Sequence, residues 1–303
     1  MNANDILAQM KDIQNKLLDF IDNEDNEEEN FQNLNSVIDD IEIRNNSHKL
    51  STLLRLLVKL SNNHHRCNNF YSKIEKIIQL FKEQITSYFS NLDIFNIFKS
   101  NKRLLLFLNE EKMLTFDEQI INQITNIKYV NQSYLQYFAL EIGPFLNKYI
   151  DNRLKKDIEK YITELPENFY ENRKNGENED VICQYIQKDL IKEFISHVNK
   201  NSISLKSNIK KSIYETNSFL LKKQAEKNNR YYYNFNDKDS ISLIEYATFY
   251  GSIQIFNYLK LEGIELTPSL WIYAVHGINP EIIHVLEENN IKPEEKTYDE
   301  CLL

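Results

Sequence analysis

The sequence predicts an all-α chain: an N-terminal helical region, residues 1–170, followed by repeated helical hairpins over residues 171–303. Three observations predict it. Only 5 Gly and 5 Pro occur in 303 residues, too few for the turns that all-β architectures need. Apolar residues recur at helical spacing through most segments. Residues 242–266 and 269–293 are two copies of one pattern, with Leu243, Tyr246, Ala247, Ile255 and Leu259 returning 27 positions later as Leu270, Tyr273, Ala274, Ile282 and Leu286. A fixed step that keeps the apolar positions means one supersecondary unit stacked on the next.

From the N-terminus, Ile6, Leu7, Met10, Ile13, Leu17, Leu18 and Ile21 form a helical stripe. The acidic stretch 22–30 that follows reads as a solvated linker, because it lacks the alternating ligands and glycine of a calcium loop. Ile74, Ile77, Ile78, Phe81, Ile85 and Phe89 predict an amphipathic helix. Residues 96–124 predict two short helices with a polar junction near Asn101, and residues 131–165 predict helices broken at Gly143-Pro144 and ended near Pro166. Asn168–Asp180, rich in Asn and Glu, reads as a loop at the border between the two regions.

Beyond that border the repeat is traced backwards. Residues 182–205 match 243–266 at a step of 61, which places Tyr185 on Tyr246, Val198 on Leu259 and Cys183 on Ile244. The helix-rich gap, with Ile209, Ile213, Phe219, Leu220 and Leu221, predicts a further unit. Units are therefore expected near 180–206, 207–236, 240–266 and 267–293, with a truncated fifth from 294 that opens at Thr297.

The unit reads as two antiparallel helices. Ser242 and Glu245 have the spacing of a capping box, which satisfies the free N–H groups at a helix start. Thr267-Pro268 offers an equivalent start in the next copy. Ala247 and Ala274, small and mid-helix, let neighbouring helices approach closely. Ser252 and Asn279 occupy the start of the second helix, and Gly263 and Asn289-Asn290 its end.

These residues resemble the ankyrin repeat: Ser242–Thr248 stand in its first helix, Gly251-Ser252 in its turn and Gln254–Leu259 in its second helix. The stretch from about Asn172 onward looks like an ankyrin-like family of unknown function expanded in some flagellate protists, on the segments GENEDVICQYI, SIYETNSFL, SLIEYATFYGSIQIFNYL and TPSLWIYAVHGINPEIIHVLEEN. The resemblance implies a helical solenoid that binds a protein partner as a scaffold or adaptor. It implies that Tyr246, Phe249, Tyr250, Tyr273 and His276 face a concave groove, where aromatic side chains bury large area with few rotatable bonds. The step of 27 is shorter than the ankyrin repeat of roughly 33 residues, so a reduced β-turn finger is expected. The missing end of a fifth unit leaves no polar cap, and self-association through that end follows as an expectation.

Chemistry finds little support. No GxGxxG or GxxxxGK[ST] segment occurs, so no cofactor and no enzymatic activity are expected. His64 and Cys67 share a helical spacing, but no second ligand pair completes a zinc site. Cys183 reads as a small core residue, and His197 and His284 as surface or packing residues. A formal charge of −9 with a pI near 5.3 counts against duplex binding, which needs clustered Lys and Arg. A nucleic-acid-binding repeat is the alternative, resting on Lys206, Lys210, Lys211, Lys222 and Lys223. Three widely spaced cysteines and a start without an apolar leader predict a reduced, cytoplasmic compartment. The longest apolar run, Leu104–Leu108, is far short of the ~20 residues of a membrane helix, so no membrane insertion is expected.

Overall fold

The computed structural model describes residues 3–23, 25–64, 69–125, 132–146, 152–225 and 241–294. Among them the chain is all-helical, without a strand. It divides into two compact units, Met1–Asn175 and Gly176–Leu303.

The first unit holds α1 (Ala3–Asp22), α2 (Glu27–Asp40), α3 (Ser47–Asn63), α4 (Phe70–Gln79), α5 (Lys82–Tyr88), α6 (Asn91–Phe98), α7 (Lys102–Glu110), α8 (Glu118–Thr125), α9 (Gln132–Tyr137), α10 (Ala139–Ile142), α11 (Asn152–Thr163) and α12 (Phe169–Asn175). The stripe Ile74–Phe89 is two helices rather than one. The chain turns at Leu80 and Phe81, yet Phe81 and Ile85 stay fully buried, which is why the periodicity runs unbroken across the turn. The polar junction near Asn101 is a buried amide pair. The Asn101 side chain accepts from the Leu104 N–H to cap α7, and its Nδ2 donates to Asn62 Oδ1 at 2.9 Å. Lys73, 3% exposed, donates to the carbonyls of Ile21 and Asn23 at 2.8 and 3.1 Å, a cation at the negative end of α1. Asn168–Asp180 is not the expected loop. Phe169 and Arg173 are buried, and Arg173 Nη1 donates to the Tyr137 carbonyl at 3.0 Å and pairs with Glu141 at 2.8 Å. Those anchors fold 169–175 as α12 despite its polar composition.

Among its described residues the second unit is built from three helical hairpins, α13/α14 (Val181–Gln187, Ile191–Asn201), α16/α17 (Leu243–Phe249, Ile253–Leu261) and α18/α19 (Leu270–Gly277, Pro280–Glu288), with α15 (Ser218–Ala225) between the first and second. The first helices α13, α16 and α18 pack side by side in that order, and so do the second helices α14, α17 and α19. One core runs through them from Ile182 to Leu286. Val198, Leu259 and Leu286, at corresponding places near the ends of the second helices, are buried; full burial of such a side chain contributes about 1.5–3 kcal/mol.

Each hairpin ends in the same way. Ser202, Gly263 and Asn290 adopt left-handed backbone, at φ 51°, 82° and 56°. The following residue, Ile203, Ile264 or Ile291, donates its N–H to the carbonyl of Val198, Leu259 or Leu286 at 3.0, 3.1 and 3.0 Å. This double-bonded helix end satisfies carbonyls that the helix itself leaves free and returns an apolar side chain to the core. The starts follow the same register at Asp180, Ser242 and Ser269, and the expected capping box joins Ser242 and Glu245. The third hairpin starts at Ser269 rather than at Thr267. The Thr267 and Ser269 hydroxyls lie 2.8 Å apart, and Ser269 donates to Glu245 Oε1 of the preceding hairpin at 3.1 Å.

The structure corrects two further expectations. First-helix caps repeat at a step of 62, from Asp180 to Ser242, whereas second-helix ends repeat at 61, from Ser202 to Gly263. The extra residue lies within α14, since Phe194 N–H to the Leu190 carbonyl matches Phe256 to Ser252 at a step of 62, while Ile203 to Val198 matches Ile264 to Leu259 at 61, so Cys183 corresponds to Glu245 and not to Ile244. Second, α13 packs directly on α16 and α14 on α17, so the described residues of the unit expected near 207–236 form no hairpin between them, and its residues 226–236 lie outside the described residues. Between the first two hairpins the chain makes an excursion whose described residues are 207–225 and 241–242. The two ends of this excursion are held together by Ile209 N–H to the Ile241 carbonyl at 2.8 Å and Leu243 N–H to the Ser207 carbonyl at 3.4 Å. Among its described residues the only helix is α15, capped by Asn217, which accepts from the N–H groups of Phe219 and Leu220. The proposed fifth unit from 294 lies outside the described residues except for Glu294 itself.

Candidate functional site

Neighbouring hairpins are joined by the start of each second helix. Asn279 uses both ends of its amide: Oδ1 accepts from Glu281 and Ile282 to cap α19, and Nδ2 donates to the Gly251 carbonyl of the preceding hairpin at 2.8 Å. Ser252, 27 positions earlier, has one hydroxyl proton and gives it to the Ile186 carbonyl of its preceding hairpin. The N-terminus of α17 is therefore capped from outside. Asp189 of the first hairpin accepts from the N–H groups of Gln254 and Ile255, both at 3.0 Å. α14 has no side-chain cap of its own at Leu190.

The five residues expected to line a groove are brought together, but not at a free surface. Tyr246, Phe249 and Tyr273, expected to face a concave groove, are buried members of the core; Tyr250 and His276 are partly buried. The cause is Phe219 of α15. Its ring stacks on His276 at 4.0 Å and on Phe249 at 5.7 Å, and meets Tyr273 edge-on at 5.2 Å. The excursion between the first two hairpins thus lays an aromatic side chain over the row that the repeat pattern alone would leave open. Tyr246 is held by its own hairpin and by Gln187, which donates to its hydroxyl at 2.8 Å, and burial pushes its phenol well above the usual range.

Cys183 is fully buried, and burial, followed by the nearby Asp180, Glu215 and Glu179 carboxylates, pushes its thiol up. No cluster of three or more His, Cys, Asp or Glu side chains has the geometry to hold a metal among the described residues. His64 lies 3.3 Å from Asp22, while Cys67 lies outside the described residues. The lysines of the nucleic-acid alternative are dispersed in role: Lys210 lies 3.4 Å from Asp180 and Lys223 sits over the Phe219 ring at 5.7 Å, with Lys206, Lys211 and Lys222 exposed. No described helix is long and apolar enough to cross a membrane.

Two exposed features lie on the outer members of the row of described hairpins. On the last hairpin Val275 is 43% and Ile278 68% exposed. One step earlier the same positions hold Thr248, fully buried, and Gly251, both in contact with α18/α19. On the first hairpin an open groove of about 400 Å³ is lined by Tyr185, Lys192, Glu193, Ser196, His197 and Lys200, and Leu190 beside it is 37% exposed. Comparison of the chain with family models, with curated proteins and with solved structures finds no match.

Proposed function

We propose that this chain is a non-catalytic protein-binding scaffold whose ankyrin-like helical hairpins offer their unfilled end faces, rather than an aromatic groove, to a protein partner. The observation that carries this reading is the exposure of Val275 and Ile278 at register positions that a following hairpin covers elsewhere in the row. An apolar position that is filled one step earlier and open at the end has the shape and chemistry of an incomplete junction. The resemblance to ankyrin repeats points the same way.

The test is affinity capture with the full chain as bait, run beside the full chain carrying Val275→Ser and Ile278→Asn. Both substitutions are at exposed sites and Asn tolerates left-handed backbone, so the circular dichroism spectrum is expected to stay unchanged. The expected result is a protein of different sequence retained by the natural chain and lost from the variant. Equal capture by both would remove the end face from the proposal.

A further inference from the structure

We infer that copies of this chain associate head to tail, with Ile278 of one copy docking on Leu190 of the next in the register that joins neighbouring hairpins within the chain. The inference rests on the protein-binding reading above and names a partner for the same face.

Each internal junction pairs two positions. One is the left-handed residue that ends a first helix, and the other is the residue that starts the second helix of the following hairpin. In the junction between the second and third hairpins these are Gly251, at φ 66°, and Asn279; a Cβ added to Gly251 would lie 3.1 Å from the Asn279 Cβ. In the junction between the first and second they are Asp189, at φ 49°, and Ser252, with the Asp189 carboxylate reaching the N–H groups just beyond Ser252. Each internal pair carries a polar side chain and no apolar one, with glycine at one of the four positions.

The two positions left over are Ile278, at φ 50°, and Leu190. Both are apolar and both are exposed, at 68% and 37%. Ile278 is β-branched in a conformation that such residues rarely adopt, where the preceding hairpin has glycine. Gly251 shows where the Cβ of this position points: at the residue that starts the next second helix. An isoleucine in this conformation directs an apolar side chain at a position that Leu190 of another copy fills.

Charge fits the same arrangement. Because α14, α17 and α19 pack in a row, continuing the row sets α19 of one copy beside α14 of the next. α19 carries exposed Glu281, Glu287 and Glu288, with His284 lying 3.3 Å from Glu288. The α14 groove carries exposed Lys192 and Lys200 beside Glu193. His197, in that groove, corresponds at the step of 61 to Tyr258, which packs edge-on against Phe194 of the preceding hairpin at 6.2 Å. The groove therefore lies on the side that receives a preceding hairpin. A contact between two different faces of the same chain is heterologous and generates rings or open arrays rather than an isologous dimer.

Sedimentation velocity on the full chain over a hundredfold concentration range tests this. The expected result is an average mass that rises with concentration and falls as salt screens the Lys–Glu pairing. Ile278→Asn and Leu190→Asp are each expected to weaken association on the order of tenfold or more, with unchanged circular dichroism. Mixing the two variants is expected to restore one contact, Ile278 of the Leu190→Asp chain on Leu190 of the Ile278→Asn chain, and so to give 1:1 pairs that grow no further. A natural chain that stays monomeric throughout overturns the inference. So does loss of association in Ile278→Asn but not in Leu190→Asp, which signals a tail-to-tail dimer, and so does a mixture that remains monomeric. Should copies fail to associate while capture of another protein still depends on Val275 and Ile278, only the self-association falls.

Discussion

At the residue scale, the number of hydrogen-bonding ends on a side chain decides how a junction is built. The Asn279 amide carries an acceptor and a donor, so one residue both caps α19 and bonds the preceding hairpin. The Ser252 hydroxyl spends its proton on Ile186, and Asp189 supplies the missing cap. Reactivity is decided equally locally. The thiolate is the nucleophilic form of cysteine, and burial together with nearby carboxylates holds the Cys183 thiol protonated. In a Cys67→Ser, Cys301→Ser background, an aromatic disulfide reagent at pH 8 is therefore expected to label Cys183 only as fast as the second unit unfolds. Labelling within seconds in native buffer, at the rate of a free thiol, would contradict this burial.

At the scale of the element, α15 accounts for the gap between the groove that the repeat pattern predicts and the face that is present. Phe219 is the single residue of α15 in ring contact with Phe249, Tyr273 and His276. Phe219→Ala is expected to destabilise the chain by about 3–5 kcal/mol, the usual range for removing a buried phenylalanine, measured by urea unfolding. A loss under about 1 kcal/mol would mean that the row is open to solvent after all. The helix ends were readable beforehand because a cap depends on one residue and its immediate neighbours: Ser242 with Glu245, Asn279 and Asn290 act where their chemistry places them. The burial of Tyr273 and His276 was not readable, since it depends on a side chain more than fifty positions away. The unit expected at 207–236 failed for a related reason. Ile209, Phe219 and Leu220 are apolar because they cover the core, and helical spacing alone does not distinguish a residue inside the stack from one laid across it. The polar sequence of α12 was misread because Arg173 and Phe169 fix it through contacts made at long range.

At the scale of the whole molecule, the described hairpins of the second unit form a row in which each packs on the next, so stability is built from hairpin and junction contributions. Gly277 tests how strongly one junction couples the row. A Cβ at this helical position would lie 2.3 Å from the Thr248 carbonyl oxygen and 3.1 Å from that of Phe249. Backbone cannot rotate aside as a side chain does, so α16 and α18 must separate for an alanine to fit. Two effects oppose each other in Gly277→Ala: helix propensity favours alanine by about 1 kcal/mol, while overpacking a tight contact costs about 1–3 kcal/mol. The contact is far inside normal approach, so overpacking is expected to prevail. Hydrogen exchange would then quicken across both hairpins joined at this junction, residues 243–288, and fade towards α13. The described residues of Met1–Asn175, whose internal packing does not include Gly277, are expected to exchange as before. An alanine variant that exchanges more slowly than the natural chain would show that the first helices have room to part, and that the close approach of α18 to the end of α16 is not what holds the row together.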